Sequence, residues 1–298
     1  MNLFQFLFNS ILTGSTYILI AAGLTLTYGL LKFPNIAHGE YLTFGAYIAF
    51  MAESAGLNLV WGALLAFVSS GILSVISYLL FFRPLMRRGA TSIHLTIASL
   101  AYSLALRYSF QQIWGRSSLS YRSWFQPFNI GPIRCTALWI ANIVVAFMFI
   151  IVFHLMLTKT KIGKAMRAVS NNPILAMSCG ISTEFVLLIA WFIGGALAGV
   201  GGVFRAADTR ITPFLGWELL IPAFAVIILG GIGSFYGMFI ASYLMGLVEN
   251  FSIIALSFMN LSTEYRSLVA FIVIVILLTL RPQGLSGLRV HLRRGEND

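Results

Sequence analysis

Several stretches of this chain carry residue types that a purely apolar helix does not need. The first is Phe33-Pro34-Asn35-Ile36-Ala37-His38-Gly39-Glu40-Tyr41, where Asn35, His38 and Glu40 interrupt a long apolar run. Pro34 disfavours helix at Phe33 and suits the first turn of a new one. Polar groups in such a run are costly within a membrane unless they are paired or face a cavity. The pattern over Asn35, Ala37, His38, Gly39 and Glu40 therefore reads as a broken helix whose free N–H groups can face an anionic or zwitterionic solute. A plain turn, with Glu40 paired to Lys32 and His38 satisfied locally, accounts for the same residues.

A second interruption, Leu229-Gly230-Gly231-Ile232-Gly233-Ser234-Phe235-Tyr236-Gly237, places Gly230, Gly231 and Gly233 between two apolar segments. It is either a counterpart of the first break, which would mark a midplane pathway, or a glycine-rich packing turn. The run 194–202 reads as helix packing: Gly195 and Gly199 form a GxxxG, and Gly194 and Ala198 a neighbouring small pair. The longest hydrophilic connection, 158–183, is the most informative. Ile162, Ala165, Met166 and Val169 share one face of a short helix, with Lys164 and Arg167 on others. Asn171-Asn172-Pro173 then caps a second short helix, which Gly180 is placed to end. The apolar stripe is expected to meet a partner protein; the alternative is a basic loop resting on anionic headgroups.

Composition dictates the elements that must position these residues. Hydrophobic residues make up 59% of the 298 and charged residues only 9%, against about 25% charged in a soluble domain. So few charges cannot supply a soluble surface, which excludes an ordinary soluble enzyme, a secreted disulfide scaffold and a nucleic-acid partner. The runs 140–157, 185–203 and 268–280 are nearly free of charge, as a bilayer core demands. We predict an all-α polytopic membrane protein, a single domain over 1–298, with about 8–10 transmembrane or re-entrant helices. Spans are expected near 6–30, 37–55, 59–82, 93–114, 137–157, 184–206, 218–232, 236–257 and 264–280. The N-terminal residues lack a positive n-region and a cleavage site, so the first segment is expected to remain as a span.

Charge then orients the chain. One side collects Lys32, Arg83, Arg87, Arg88, Lys159, Lys161, Lys164, Arg167 and the basic tail 281–298; the other holds Arg116, Arg122, Arg134, Arg205 and Arg210. The positive-inside rule puts the N-terminus outside and the C-terminus in the cytoplasm. Cys135 and Cys179 then lie on opposite faces and are not expected to pair. The outer loop carries Trp114, Tyr121, Trp124, Phe125 and Phe128, which suit an interfacial belt or a docking surface. Gly163-Lys164 is followed by Ala165, so it is no phosphate loop, and HExxH, GxSxG and paired CxxC motifs are absent. No cofactor or metal is expected on this chain. An intramembrane enzyme would have to draw on His38, His94, Glu40 and Glu249.

Gly23-Leu24-Thr25-Leu26-Thr27-Tyr28-Gly29, followed by Asn35-Ile36-Ala37-His38-Gly39-Glu40, resembles the N-terminal signature of LivH-type permeases of branched-chain amino acid ABC importers. Arg167-Ala168-Val169, with Asn172-Pro173 and Gly180-Ile181, is similar to their cytoplasmic coupling segment. Leu229-Gly230-Gly231-Ile232-Gly233-Ser234 and Arg281-Pro282-Gln283-Gly284-Leu285 complete the pattern, while Phe33 and Pro34 depart from it. The resemblance implies an ABC importer permease fold in a bacterial inner membrane and transport by alternating access. It implies a second related permease, two cytoplasmic ATP-binding subunits that use ATP-Mg, and a periplasmic solute-binding protein. It also implies that the 158–183 loop docks on an ATPase through Lys164, Arg167, Asn171, Asn172 and Pro173. Leucine, isoleucine and valine are the implied solutes; similar subunits serve urea, short amides and aromatic acids.

Overall fold

The computed structural model of the chain describes residues 2–122 and 126–260, and beyond them residues 262, 265, 268, 271, 272, 275, 276 and 279. Most of the predicted span 264–280, and all of the tail 281–298, lie outside the described residues.

The chain is a bundle of helices whose boundaries follow the expected spans closely. They are α1 (Leu3–Leu31), α2 (His38–Ser54), α3 (Leu59–Ser77), α4 (Arg83–Arg87), α5 (Ser92–Trp114) and α6 (Ala137–Lys159). After α6 come α7 (Lys161–Asn171), α8 (Pro173–Ser178), α9 (Thr183–Asp208), α10 (Leu215–Gly230) and α11 (Phe235–Phe258). A π-helical turn, Tyr78–Phe82, joins α3 to α4. The all-α expectation misses one feature, an antiparallel hairpin of β1 (Phe128–Ile130) and β2 (Ile133–Cys135) in the 115–136 connection. Gly131 turns it at φ 58°, and each strand is too short to leave a periodic signal.

Small residues explain where the centre sits. α9 packs on α1, α2 and α3, and its 194–202 stretch is buried throughout. In lipid, such ridges let backbones approach and bring polar side chains within reach of a neighbouring helix. Ser74 on α3 accordingly donates to the Trp191 carbonyl of α9 at 2.9 Å. α6 is the opposite case: Val144, Phe147, Met148, Ile151 and Val152 are exposed, as a lipid-facing helix requires.

Among the described residues, five helices are long and apolar enough to cross a membrane: Leu3–Leu31, Leu59–Arg87, Ala137–Lys159, Thr183–Asp208 and Phe235–Phe258. α2 and α10 fall short, with 17 and 16 residues. At 1.5 Å per residue each is about 25 Å long, less than the roughly 30 Å hydrocarbon core. In the 115–136 connection, Tyr121 donates to the Ala46 carbonyl at 3.0 Å. Burial, with Glu53 nearby, pushes its phenol well above the usual range.

Candidate functional site

α1 ends at Lys32, which caps it in the left-handed conformation (φ 57°). The chain then climbs along α5 instead of turning at the surface. The Lys32 carbonyl accepts from Ser92 Oγ at 2.9 Å, and Ile36 donates its N–H to Ser99 Oγ at 3.0 Å. Asn35 Oδ1 accepts from the Ala37 N–H at 3.2 Å, closing the turn from which α2 begins. Glu40, in the first turn of α2, accepts from Ser103 Oγ at 2.9 Å. At 1.5 Å per residue, Ser103 lies about 17 Å along α5 from Ser92. α2 therefore starts halfway through the bundle, which is why it is short.

At that depth sits a buried ion pair. Arg107 places Nη2 at 2.6 Å and Nε at 3.1 Å from Glu40 Oε1. The two side chains are only 6% and 1% exposed, and Glu40 Oε2 has no hydrogen-bond partner among the described residues. Glu40 pairs with Arg107, not Lys32, so the plain-turn reading fails. The guanidinium lies 4.6 Å from the Trp217 ring centroid and 5.4 Å from that of Phe214, a cation–π arrangement.

Phe214 and Trp217 belong to the start of α10, which meets the start of α2. The Gly216 N–H donates to Thr43 Oγ1 at 2.9 Å. A Cβ on Gly39 would come within 2.7 Å of the Gly216 carbonyl oxygen, so glycine is required where the two backbones touch. Two helix N-termini thus converge inside the bundle, each with its partial positive end and each with a carboxylate in its first turn, Glu40 and Glu218. Glu218 is exposed beside Phe214, Trp217 and Ile221, and it forms no ion pair among the described residues.

The predicted residues divide between two places. Asn35, Ala37, His38, Gly39 and Glu40 gather at this junction, all buried. His38 serves the scaffold there: its Nε2 donates to the Ile20 carbonyl at 3.0 Å. Gly230, Gly231 and Gly233 lie at the other end of α10. Gly231 (φ 90°) and Gly233 (φ 77°) form the turn into α11, and Ser234 caps that helix. Gly233 faces Gly29, near the end of α1, and lines a groove with Arg167 and Ser170 of α7. This second break adjoins the 158–183 loop and does not meet the first. Arg107, Ser103, Trp217 and Glu218 were not singled out in the sequence. Arg107 gave the only signal, a cation within an apolar span.

The 158–183 loop folds as expected, into α7 and α8. Thr160 caps the first and Asn172 the second, accepting from the Leu175 N–H at 3.0 Å. Its apolar stripe has a different fate from the one predicted. Met166 and Val169 are buried in this chain's own core, because α7 packs against α6, α1 and α9. The free apolar surface is on α8, at Ile174, Leu175 and Met177. Arg167, Asn171, Asn172 and Pro173 are exposed around it, whereas Lys164 lines a separate groove.

Membrane-crossing helices, two short helices that begin inside the bundle, and a charged centre between them define a polytopic permease. The description "branched-chain amino acid transport system / permease component" belongs to a family model that matches residues 6–278. The chain belongs to this family. The probable branched-chain amino acid transport permease protein LivH of Methanocaldococcus jannaschii is 31% identical over 93% of this chain and 90% of its own length. The high-affinity branched-chain amino acid transport system permease protein LivH of Escherichia coli (strain K12) is 29% identical, covering 95% of each chain. Among solved structures, PsaBC from Streptococcus pneumoniae in complex with Fab matches with a TM-score of 0.51. That likeness covers 93% of this chain and 92% of the other at 16% identity, and it is one of fold.

Proposed function

We propose that this chain is one of two related membrane subunits of an ATP-driven importer for branched-chain or related apolar amino acids. The observation that carries the reading is the exposed start of α10, where Glu218 stands among Phe214, Trp217 and Ile221 beside two converging helix N-termini. A zwitterionic amino acid matches each feature. Its ammonium suits Glu218, its carboxylate suits the partial positive ends of the converging helices, and its side chain suits the aromatic and aliphatic surface. The Glu40–Arg107 pair holds the junction rigid, and the second permease closes the face opposite α10. The named relatives are branched-chain permeases, which supports the solute class.

In this reading α8, with Arg167, Asn171, Asn172 and Pro173, docks on one of two cytoplasmic ATP-binding subunits. Those subunits hydrolyse ATP-Mg, and a periplasmic protein delivers the solute. The distribution of basic residues supports a periplasmic N-terminus and a cytoplasmic C-terminus in the inner membrane. Closure of the ATPase pair moves α7 and α8, and the glycine turn at 231–233 passes that motion to α10.

The test is uptake of labelled leucine and labelled urea in cells with and without the chain, with ATP depletion as a control. ATP-dependent leucine uptake lost on deletion supports the proposal. Loss of urea uptake instead, or transport that survives ATP depletion, rejects it.

A further inference from the structure

A groove of about 610 Å³ runs between α7 and the first turns of α9. Its floor is apolar, made by Ala165, Ala168, Ile181, Phe185 and Ile189, and Lys161 and Lys164 stand on its rim. Both lysines are exposed, and neither forms an ion pair among the described residues. The acid nearest in sequence on α9, Glu184, is already taken by Arg83 and Arg87 of α4. The groove therefore keeps two uncompensated positive charges over an apolar bed.

The bed lies along the start of α9, where Phe185 and Ile189 fall about one turn apart on the same face. An elongated apolar body with an anionic head at the α7 end fits it, and free phosphate would leave the apolar bed empty.

We propose that this groove binds an anionic phospholipid, with its phosphate between Lys161 and Lys164 and an acyl chain along α9. Basic pockets between membrane helices recognise anionic headgroups by this combination of charge and apolar lining. The bound lipid braces α7 against α9 and so sets how firmly the coupling helix is held. The proposal rests on the membrane fold and not on which solute is carried.

The experiment uses the chain in its native assembly, extracted in mild detergent, with retained phospholipids identified by native mass spectrometry. Phosphatidylglycerol should be retained in preference to phosphatidylethanolamine. Lys161→Gln/Lys164→Gln should weaken retention on the order of fivefold per lysine, and Lys161→Arg/Lys164→Arg should preserve it. Ile189→Trp, which fills the groove and keeps both charges, should displace the lipid as well. In nanodiscs, phosphatidylglycerol and not phosphatidylcholine should protect a cysteine placed at Ala165 from a soluble maleimide. Equal phosphatidylglycerol retention by the wild type and the double glutamine variant would overturn the proposal. So would a photo-crosslinker at Phe185 that captures an ATPase subunit in place of lipid.

Discussion

Arg107 and Glu40 meet about two-thirds of the way along α5, with Nη2 2.6 Å from Oε1, and both side chains are almost wholly buried. The pair ties α5 to the start of α2, and the Trp217 and Phe214 rings over the guanidinium extend the tie to α10. Breaking such a pair from one side strands a charge in an apolar medium, at a cost of about 3–5 kcal/mol. Arg107→Met and Glu40→Gln should each lower the thermal stability of the detergent-extracted protein sharply. The double variant Glu40→Gln/Arg107→Met should recover part of the loss, because neither charge is then left alone. Additive losses in a double-mutant cycle would show that the two residues act independently.

Gly39 and Gly216 let two helix N-termini touch. A methyl at Gly39 would lie 2.7 Å from the Gly216 carbonyl oxygen, and backbone on both sides cannot move aside cheaply. Gly39→Ala should cost about 1–3 kcal/mol as an overpacked site, whereas Gly56→Ala, strained but with open space around it, should leave α2 and α10 in contact. A disulfide trapped between cysteines at Thr43 and Leu215 reads the contact directly, and its yield should fall in Gly39→Ala only.

In the proposed assembly the coupling surface is on α8. Ile174, Leu175 and Met177 are exposed in an element of six residues that ends one short connection before α9. Leu175→Asp and Arg167→Glu should abolish co-purification of ATP-binding subunits while the chain stays inserted. Met166→Asp should instead lower the amount of folded protein, because Met166 is in the core. Normal uptake by Arg167→Glu would remove Arg167 from the docking surface.

Much of this was legible in the sequence because the strongest signals were local. Apolar run lengths placed the helices, Pro34 and Asn35 marked the break before α2, and Asn172-Pro173 marked the cap of α8. The reading failed where partners are distant in sequence. Glu40 and Arg107 are separated by 67 residues, and no periodicity links them. The span expected from 218 starts three residues earlier in the fold, because apolar Leu215, Gly216 and Trp217 do not distinguish a loop from a helix. The stripe of α7 was assigned to a partner because amphipathicity reports that a face is buried, not by which chain. The two broken segments looked equivalent in composition, yet one sits at mid-depth and the other at the α7 end.

The most direct measurement is the initial rate of ATP-dependent labelled leucine uptake in cells lacking the chain and complemented with wild type or Glu218→Gln. Loss of a charge-assisted hydrogen bond to the solute's ammonium should lower the rate roughly tenfold or more, with chain level and ATPase co-purification unchanged. Glu218→Asp should retain part of the activity. A Glu218→Gln rate equal to wild type would contradict the placement of the solute at the start of α10.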